Sequence, residues 1–225
     1  MGTFGAFGKL PALGDFFQFG LPRAFTDPWD RWLQQALVAT RGELGARWDD
    51  CYLTTPIWRF GLAPGLAGPD AAFGVLMPSV DRVGRQFPLT IAALAGPEAG
   101  ILHRHLAMEA TFQALERIAL TALEDDATPD SIATELAKLR LPAAPHAPRL
   151  YEVPGRVTLV GGAEGIAPAL AAACTAARGG RVSVWSSHIG TVNRLMQLGG
   201  LPDPAAACGL FDLSAPVWGA TMVEV

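Results

Sequence analysis

The sequence predicts one mixed α/β domain with a sizeable core and a hairpin-rich N-terminal half. Three observations carry this. Half of the 225 residues are hydrophobic and 17% are charged, a balance that supports a packed core and excludes disorder as the main state. Segments with strand and helix periodicity follow one another along the chain. The strands of the N-terminal half are joined by loops short enough to make them antiparallel neighbours.

Residues 2–7 place Gly2, Phe4 and Phe7 among small residues and read as a first strand. Residues 8–15 are a loop punctuated by Gly8, Pro11 and Gly14, and Phe16, Phe17 and Phe19 follow as an apolar patch. A helix is expected from Asp27-Pro28, because Asp27 can accept from first-turn amides and Pro28 suits the first helical position. Trp29, Leu33, Ala36, Leu37, Thr40 and Leu44 form its buried stripe. Strands are expected at 57–62, 71–77 and 87–94. A long helix is expected from Pro97 to Glu124, and a shorter one over 129–139. Three prolines within 141–148 mark a surface crossing, the one place where a 1–225 domain would subdivide. The last third reads strand (156–160), helix (164–176), strand (181–185), followed by a short helical piece near 203–210. That strand–helix–strand piece suits either a parallel βαβ unit or two edge strands with a crossover helix.

Several function classes are disfavoured. The net charge of -4 argues against a nucleic-acid binder working through bulk electrostatics. No apolar stretch approaches the roughly 20 residues that span a bilayer, and the N-terminus lacks a basic segment followed by an apolar one. A soluble, cytosolic protein without membrane insertion is expected. Cys51, Cys174 and Cys208 are widely spaced, with no CxxC, so neither a disulfide framework nor a zinc site is expected. His103 and His105 are two apart on a helix and point to nearly opposite sides.

Four segments invite a chemical reading. Residues 160–165 (Val-Gly-Gly-Ala-Glu-Gly) lie between a strand and a helix, the context of a phosphate-cradling turn. They fail the GxGxxG pattern, and Glu164 sits where the phosphate would bind, so a plain turn is the better reading. Ser186, Ser187 and His188 show no nucleophile–base order, and Cys51 sits among Asp49, Asp50 and Tyr52 rather than cations. No catalytic set and no cofactor fingerprint is read, so the chain is not expected to be an enzyme. The loop Met77–Pro88 is more unusual: Ser79, Asp81, Arg82 and Arg85 lie between strands. Asp81 and Arg85 can pair across the turn, which suits a loop fixed by internal ion pairs. The arginines equally suit bidentate capture of a phosphate or carboxylate. Finally, Arg59 between Trp58 and Phe60 suggests cation–π packing on an exposed strand face that covers an edge or meets a partner.

Five segments together resemble the TagF (ImpM) family of accessory proteins of bacterial type VI secretion systems. They are Gly5–Phe16 with Lys9 and Asp15, Trp29–Gln34, Pro56–Phe60, Gly74–Arg85 with Phe87–Leu89, and Gly200–Pro204. The likeness runs in order through the first hundred residues and is sparser from 97 to 180. It implies an α+β fold, an αβα sandwich with a mainly antiparallel central sheet flanked by helices, as in longin and profilin-like domains. It implies a post-translational repressor of secretion, linked to the threonine phosphorylation pathway and acting on a forkhead-associated scaffold protein. Some family members carry a fused phosphatase domain; with the chain ending at Val225, such a domain is expected on a separate protein. Lys9, Asp15, Trp58, Arg59, Ser79, Asp81, Arg82 and Arg85 occupy the motif positions and are the candidate binding residues. The expected contact face joins the Trp58/Arg59 strand to the Arg82/Arg85 loop. The alternative is an anion- or nucleotide-binding sensor built on Arg82 and Arg85.

Overall fold

The computed structural model describes residues 2–97, 100–124, 127–146, 149–154, 156–160, 165–168, 170–171 and 181–219. Strands β1 (Phe4–Gly8), β2 (Phe17–Phe19), β3 (Trp58–Leu62), β4 (Ala71–Met77), β5 (Leu89–Gly96), β8 (Ser183–Ile189) and β9 (Val192–Leu198) form one sheet in the order β2-β1-β5-β4-β3-β8-β9. Every neighbouring pair in it is antiparallel. β6 (Arg149–Val153) and β7 (Arg156–Val160) form a separate antiparallel hairpin.

Alternation along the strands sends side chains into two cores, one on each face of the sheet. Ala71, Phe73, Val75 and Met77 of β4 face one core, which is closed by α3 (Ile101–Ala107), α4 (Glu109–Thr121) and α5 (Pro129–Lys138). Ala72 and Leu76 face the other, closed by α1 (Arg23–Leu44), α2 (Trp48–Leu53) and α6 (Pro204–Phe211). The result is an αβα sandwich. Its second core is aromatic: Trp29 stacks on Trp185 at 6.2 Å and leans on Phe60 at 5.0 Å. The Trp29 indole satisfies its N–H on the buried Thr90 hydroxyl at 2.9 Å.

Several expectations need correction. α1 starts at Arg23, not Asp27, and Pro28 lies inside it. The amides of Phe25 and Thr26 donate to the Pro22 carbonyl, and buried Phe25 stacks on Trp29 one turn on at 5.6 Å. Tertiary burial of Phe25 therefore extends the helix past the local capping signal. Pro28 cannot donate to the Ala24 carbonyl. Gly68 comes against that same carbonyl so closely that an added Cβ would lie 2.5 Å from it.

The helix expected over 97–124 is two, broken at Met108, whose φ of -97° and ψ of 21° leave the helical region. The break lets the two pieces follow different lines over the sheet, with Ile101 and Phe112 both reaching the core. α2, β2, β6 and β9 have no counterpart among the expected elements: each is short or mixed in composition, and the strands are held by the neighbours they pair with, β2 by β1, β6 by β7 and β9 by β8. The parallel βαβ alternative is overturned. β7 pairs with β6, while β8 adds antiparallel to β3. Of the helix expected at 164–176, residues 166–168 and 170–171 are helical. Residues 161–164 of the glycine-rich turn, and Cys174, lie outside the described residues. No helix among those described is long and apolar enough to cross a membrane.

Candidate functional site

The β4–β5 loop holds a dense polar cluster, and the carboxylate of Asp81 organises it. One oxygen, Oδ1, accepts from the backbone amides of Val83 and Arg85 at 3.1 and 2.9 Å, the pattern of an aspartate that closes its own turn. The other, Oδ2, accepts from Lys9 Nζ at 2.8 Å and Arg85 Nε at 2.6 Å. The Asp81–Arg85 pairing expected across the turn therefore forms, and Lys9 joins it from the 8–15 loop. Burial pushes the Asp81 carboxyl up, but the Lys9 ammonium and the donors of Arg85 and Val83 outweigh it. They hold the group far below the usual carboxylate range.

Ser79 completes the anchor. Its hydroxyl donates to the Lys9 carbonyl at 2.8 Å. Its own carbonyl accepts from the Tyr52 hydroxyl at 2.7 Å, and its amide donates back to that oxygen at 3.1 Å. Burial drives the Tyr52 phenol well above its ordinary value, so it stays protonated and donating. Arg82 donates its backbone amide to the Leu13 carbonyl at 2.8 Å, and Arg85 reaches the Gly14 carbonyl at 2.7 Å. Lys9, Ser79 and Asp81 are thus buried and tie two loops together.

What this anchor presents outward is small and mixed. The Arg82 side chain lies over Gly14, without an acidic partner among the described residues. Val83 is 69% exposed at the loop tip and Phe16 is 45% exposed, the latter packed edge-on to Phe87 at 4.8 Å. Asp15 is exposed and accepts from the Phe16 amide at 2.8 Å. Beside this tip runs an open groove of about 440 Å³ between α1 and the loop, lined by Leu37, Val38, Arg41, Trp48, Arg85 and Gln86 among others.

Trp58 and Arg59 do not join this surface. β3 is central, so its two faces lie under the two helical layers. Trp58 points into the aromatic core, donates to the Leu210 carbonyl at 2.7 Å and stacks on Trp218 at 5.6 Å. Arg59, expected on an exposed face, is 4% exposed on the opposite side of the sheet. Its guanidinium is forked twice: Nη1 and Nη2 donate to Glu109 at 2.6 and 3.2 Å, and Nε and Nη2 to Glu116 at 2.6 and 3.0 Å. It also packs over the Phe112 ring at 5.5 Å, so the cation–π contact exists but is internal. Helical spacing of Glu109 and Glu116, two turns apart, is the signal that these carboxylates share one face of α4.

Adjacent to Arg59 is a polar pair invisible in the sequence. His105 Nε2 and Ser186 Oγ are 2.8 Å apart, although 81 residues separate them. Burial first, then the Arg59 charge, depress His105 to a pKa of about 3. A base that weak does not take a serine proton near neutral pH, so this pair fits a core hydrogen bond. His188, next to Ser187 in sequence, engages Asn193 instead. Burial raises the thiols of both Cys51 and Cys208, as suits bystander cysteines.

Comparison with known proteins agrees with this architecture. No match was found among curated proteins. The crystal structure of PA0076 from Pseudomonas aeruginosa PAO1 superposes with a TM-score of 0.74 at 35% identity, over 99% of this chain and 97% of that one. Residues 5–139, which hold β1 to α5 and the whole Asp81 anchor, match the TagF N-terminal domain, described as type VI secretion system-associated, and the chain belongs to that family.

Proposed function

We propose that this type VI secretion accessory protein represses secretion after translation by binding a forkhead-associated scaffold protein, within the threonine phosphorylation pathway. The contact surface is the loop tip with Phe16, Arg82 and Val83, extended by the groove along α1. The observation that carries this surface is the contrast within one motif. Lys9, Ser79 and Asp81 are consumed in a buried anchor, while the side chains of Arg82 and Val83 are exposed on it, Arg82 with no ion pair among the described residues. A rigidly based loop presenting an arginine and an apolar residue is a low-entropy recognition element. Trp58 and Arg59 act from inside, by holding the sheet between its helices.

The test is direct binding of the purified scaffold protein. Arg82→Glu combined with Val83→Asp is expected to lower affinity at least tenfold while circular dichroism and the melting temperature stay unchanged. Arg85 is left intact because it neutralises buried Asp81. Full affinity in the folded double variant removes this surface from the mechanism.

One observation favours a second reading. The Arg82 guanidinium lies over Gly14 beside the Arg85 side chain, an arrangement open to an anion. As a sensor, the loop would be stabilised by a phosphorylated ligand bound to the native state. A melting-temperature screen of nucleotides and phosphopeptides decides this, with no shift in any of them excluding the sensor.

A further inference from the structure

β9 closes one end of the seven-stranded sheet. One side pairs with β8 through seven consecutive residues, from Val192 opposite Ile189 to Leu198 opposite Ser183. Among the described residues no strand pairs with its other side. The opposite end of the sheet is different: β2 is three residues long and presents little edge. A seven-residue edge is a template for a further strand unless the protein blunts it with proline, lysine, a bulge or an outward charge. β9 has no proline and no lysine, and its register runs without a shift. Its single charge, Arg194, folds back over the Trp218 ring at 5.7 Å and onto the Leu213 carbonyl. Val192 and Leu195 remain half-exposed, at 50% and 47%.

The strand is also complementary to itself. Laid antiparallel on a copy with a two-fold axis at Leu195, it sets Leu195 opposite Leu195, Val192 opposite Leu198, Asn193 opposite Gln197 and Arg194 opposite Met196. Apolar meets apolar, amide meets amide, and the arginine faces a thioether. Moving the axis to Arg194 opposes two like charges, which is unfavourable in a cross-strand pair. Moving it to Met196 sets Leu195 against Gln197. We infer that β9 pairs with β9 of a second copy of this chain about an axis at Leu195, joining two seven-stranded sheets into one. The contact is isologous and closes at the dimer. It does not depend on the partner assigned to the Asp81 loop, which lies toward the other half of the sheet order.

Sedimentation equilibrium of the full chain at tens of micromolar is expected to give twice the 23.7 kDa chain mass. Leu195→Arg, which opposes two guanidinium groups across the axis, is expected to give the monomer mass with an unchanged circular dichroism spectrum. Leu195→Cys is expected to cross-link rapidly under mild oxidation, because directly opposed residues hold their Cβ atoms about 5 Å apart. Asn193→Cys, whose copies would lie more than about 10 Å apart along the strands, and the wild type with its native cysteines are expected not to. A wild-type monomer, a Leu195→Arg dimer, or equal cross-linking at positions 193 and 195 each overturns the proposal.

Discussion

Asp81 joins two loops 72 residues apart through one carboxylate, and Lys9 meets it while 6% exposed. Replacing one member of a buried pair leaves the other charge without compensation. Asp81→Asn is therefore expected to lower the urea midpoint markedly, whereas Asp15→Asn, on an exposed carboxylate, leaves it within error. The pH dependence has a definite sign. An unfolded aspartate titrates near about 3.9, and the native Asp81 titrates far lower. Its contribution to stability is present above about pH 4 and is lost as the pH falls below that toward the native value. The stability difference between wild type and Asp81→Asn should narrow on acidification through that window, followed by urea unfolding. His105 acts over a higher range. Its native pKa is about 3, against about 6.5 when unfolded. The unfolded chain thus binds the extra proton first, and stability falls as the pH drops from about 6.5 toward 3. His105→Gln is expected to remove that slope; a midpoint that stays equally pH-dependent in the variant shows that other groups produce it.

At the scale of elements, the Arg59 fork ties α4 to the central strand. Each glutamate reaches the guanidinium with two hydrogen bonds, so either one alone keeps the buried charge paired. Glu109 is the more exposed of the two, with a side chain at 54% against 23% for Glu116. Glu109→Ala and Glu116→Ala are each expected to cost about 1 kcal/mol or less. The double variant, which leaves a buried guanidinium with no carboxylate, is expected to cost about 3 kcal/mol or more, well beyond the sum. Chemical denaturation of the four-member cycle measures this, and simple additivity would show that the guanidinium finds water. The α1 start depends on another close contact. Gly68 has a φ of +122° and touches the Ala24 carbonyl that Pro28 leaves without a helical donor. Gly68→Ala is expected to cost more than about 1 kcal/mol, from the left-handed φ and the clash together, again read from the urea midpoint.

For the whole molecule, the sheet divides the work. The Asp81 loop and its outward arginine sit on the connection between β4 and β5, while the long edge that no strand among the described residues pairs with is at β9. Under the proposed function and the proposed dimer, the partner-binding tip and the self-association strand occupy separate places on the sheet. Loop-tip substitutions are then expected to leave the sedimentation mass unchanged, and Leu195→Arg to leave single-site affinity for the scaffold protein unchanged. Loss of both properties in either variant would show that the two surfaces are one.

Periodicity and punctuation were enough to place β4 and β7 at the residues where they form, α5 to within a residue, and β3 and α6 to within one or two. Local spacing also foretold the Asp81–Arg85 pairing, because both partners lie in one turn. The motif residues carried the family and, with it, the antiparallel sandwich. Chain-local signals do not report which strand lies beside which. The strand expected at 181–185 suited a parallel unit and an edge strand alike; its antiparallel pairing with β3 removes the parallel one, and the two halves of the chain on either side of residues 141–148 enter the same sheet. Centrality in that sheet buries Arg59 against two carboxylates 50 and 57 residues away, and turns an apparent contact residue into a clamp. The same assembly pairs His105 with Ser186 and leaves β9 at an edge. Such features depend on contacts across long stretches of chain, whose favourable burial outweighs local propensity, and a single sequence does not display those contacts.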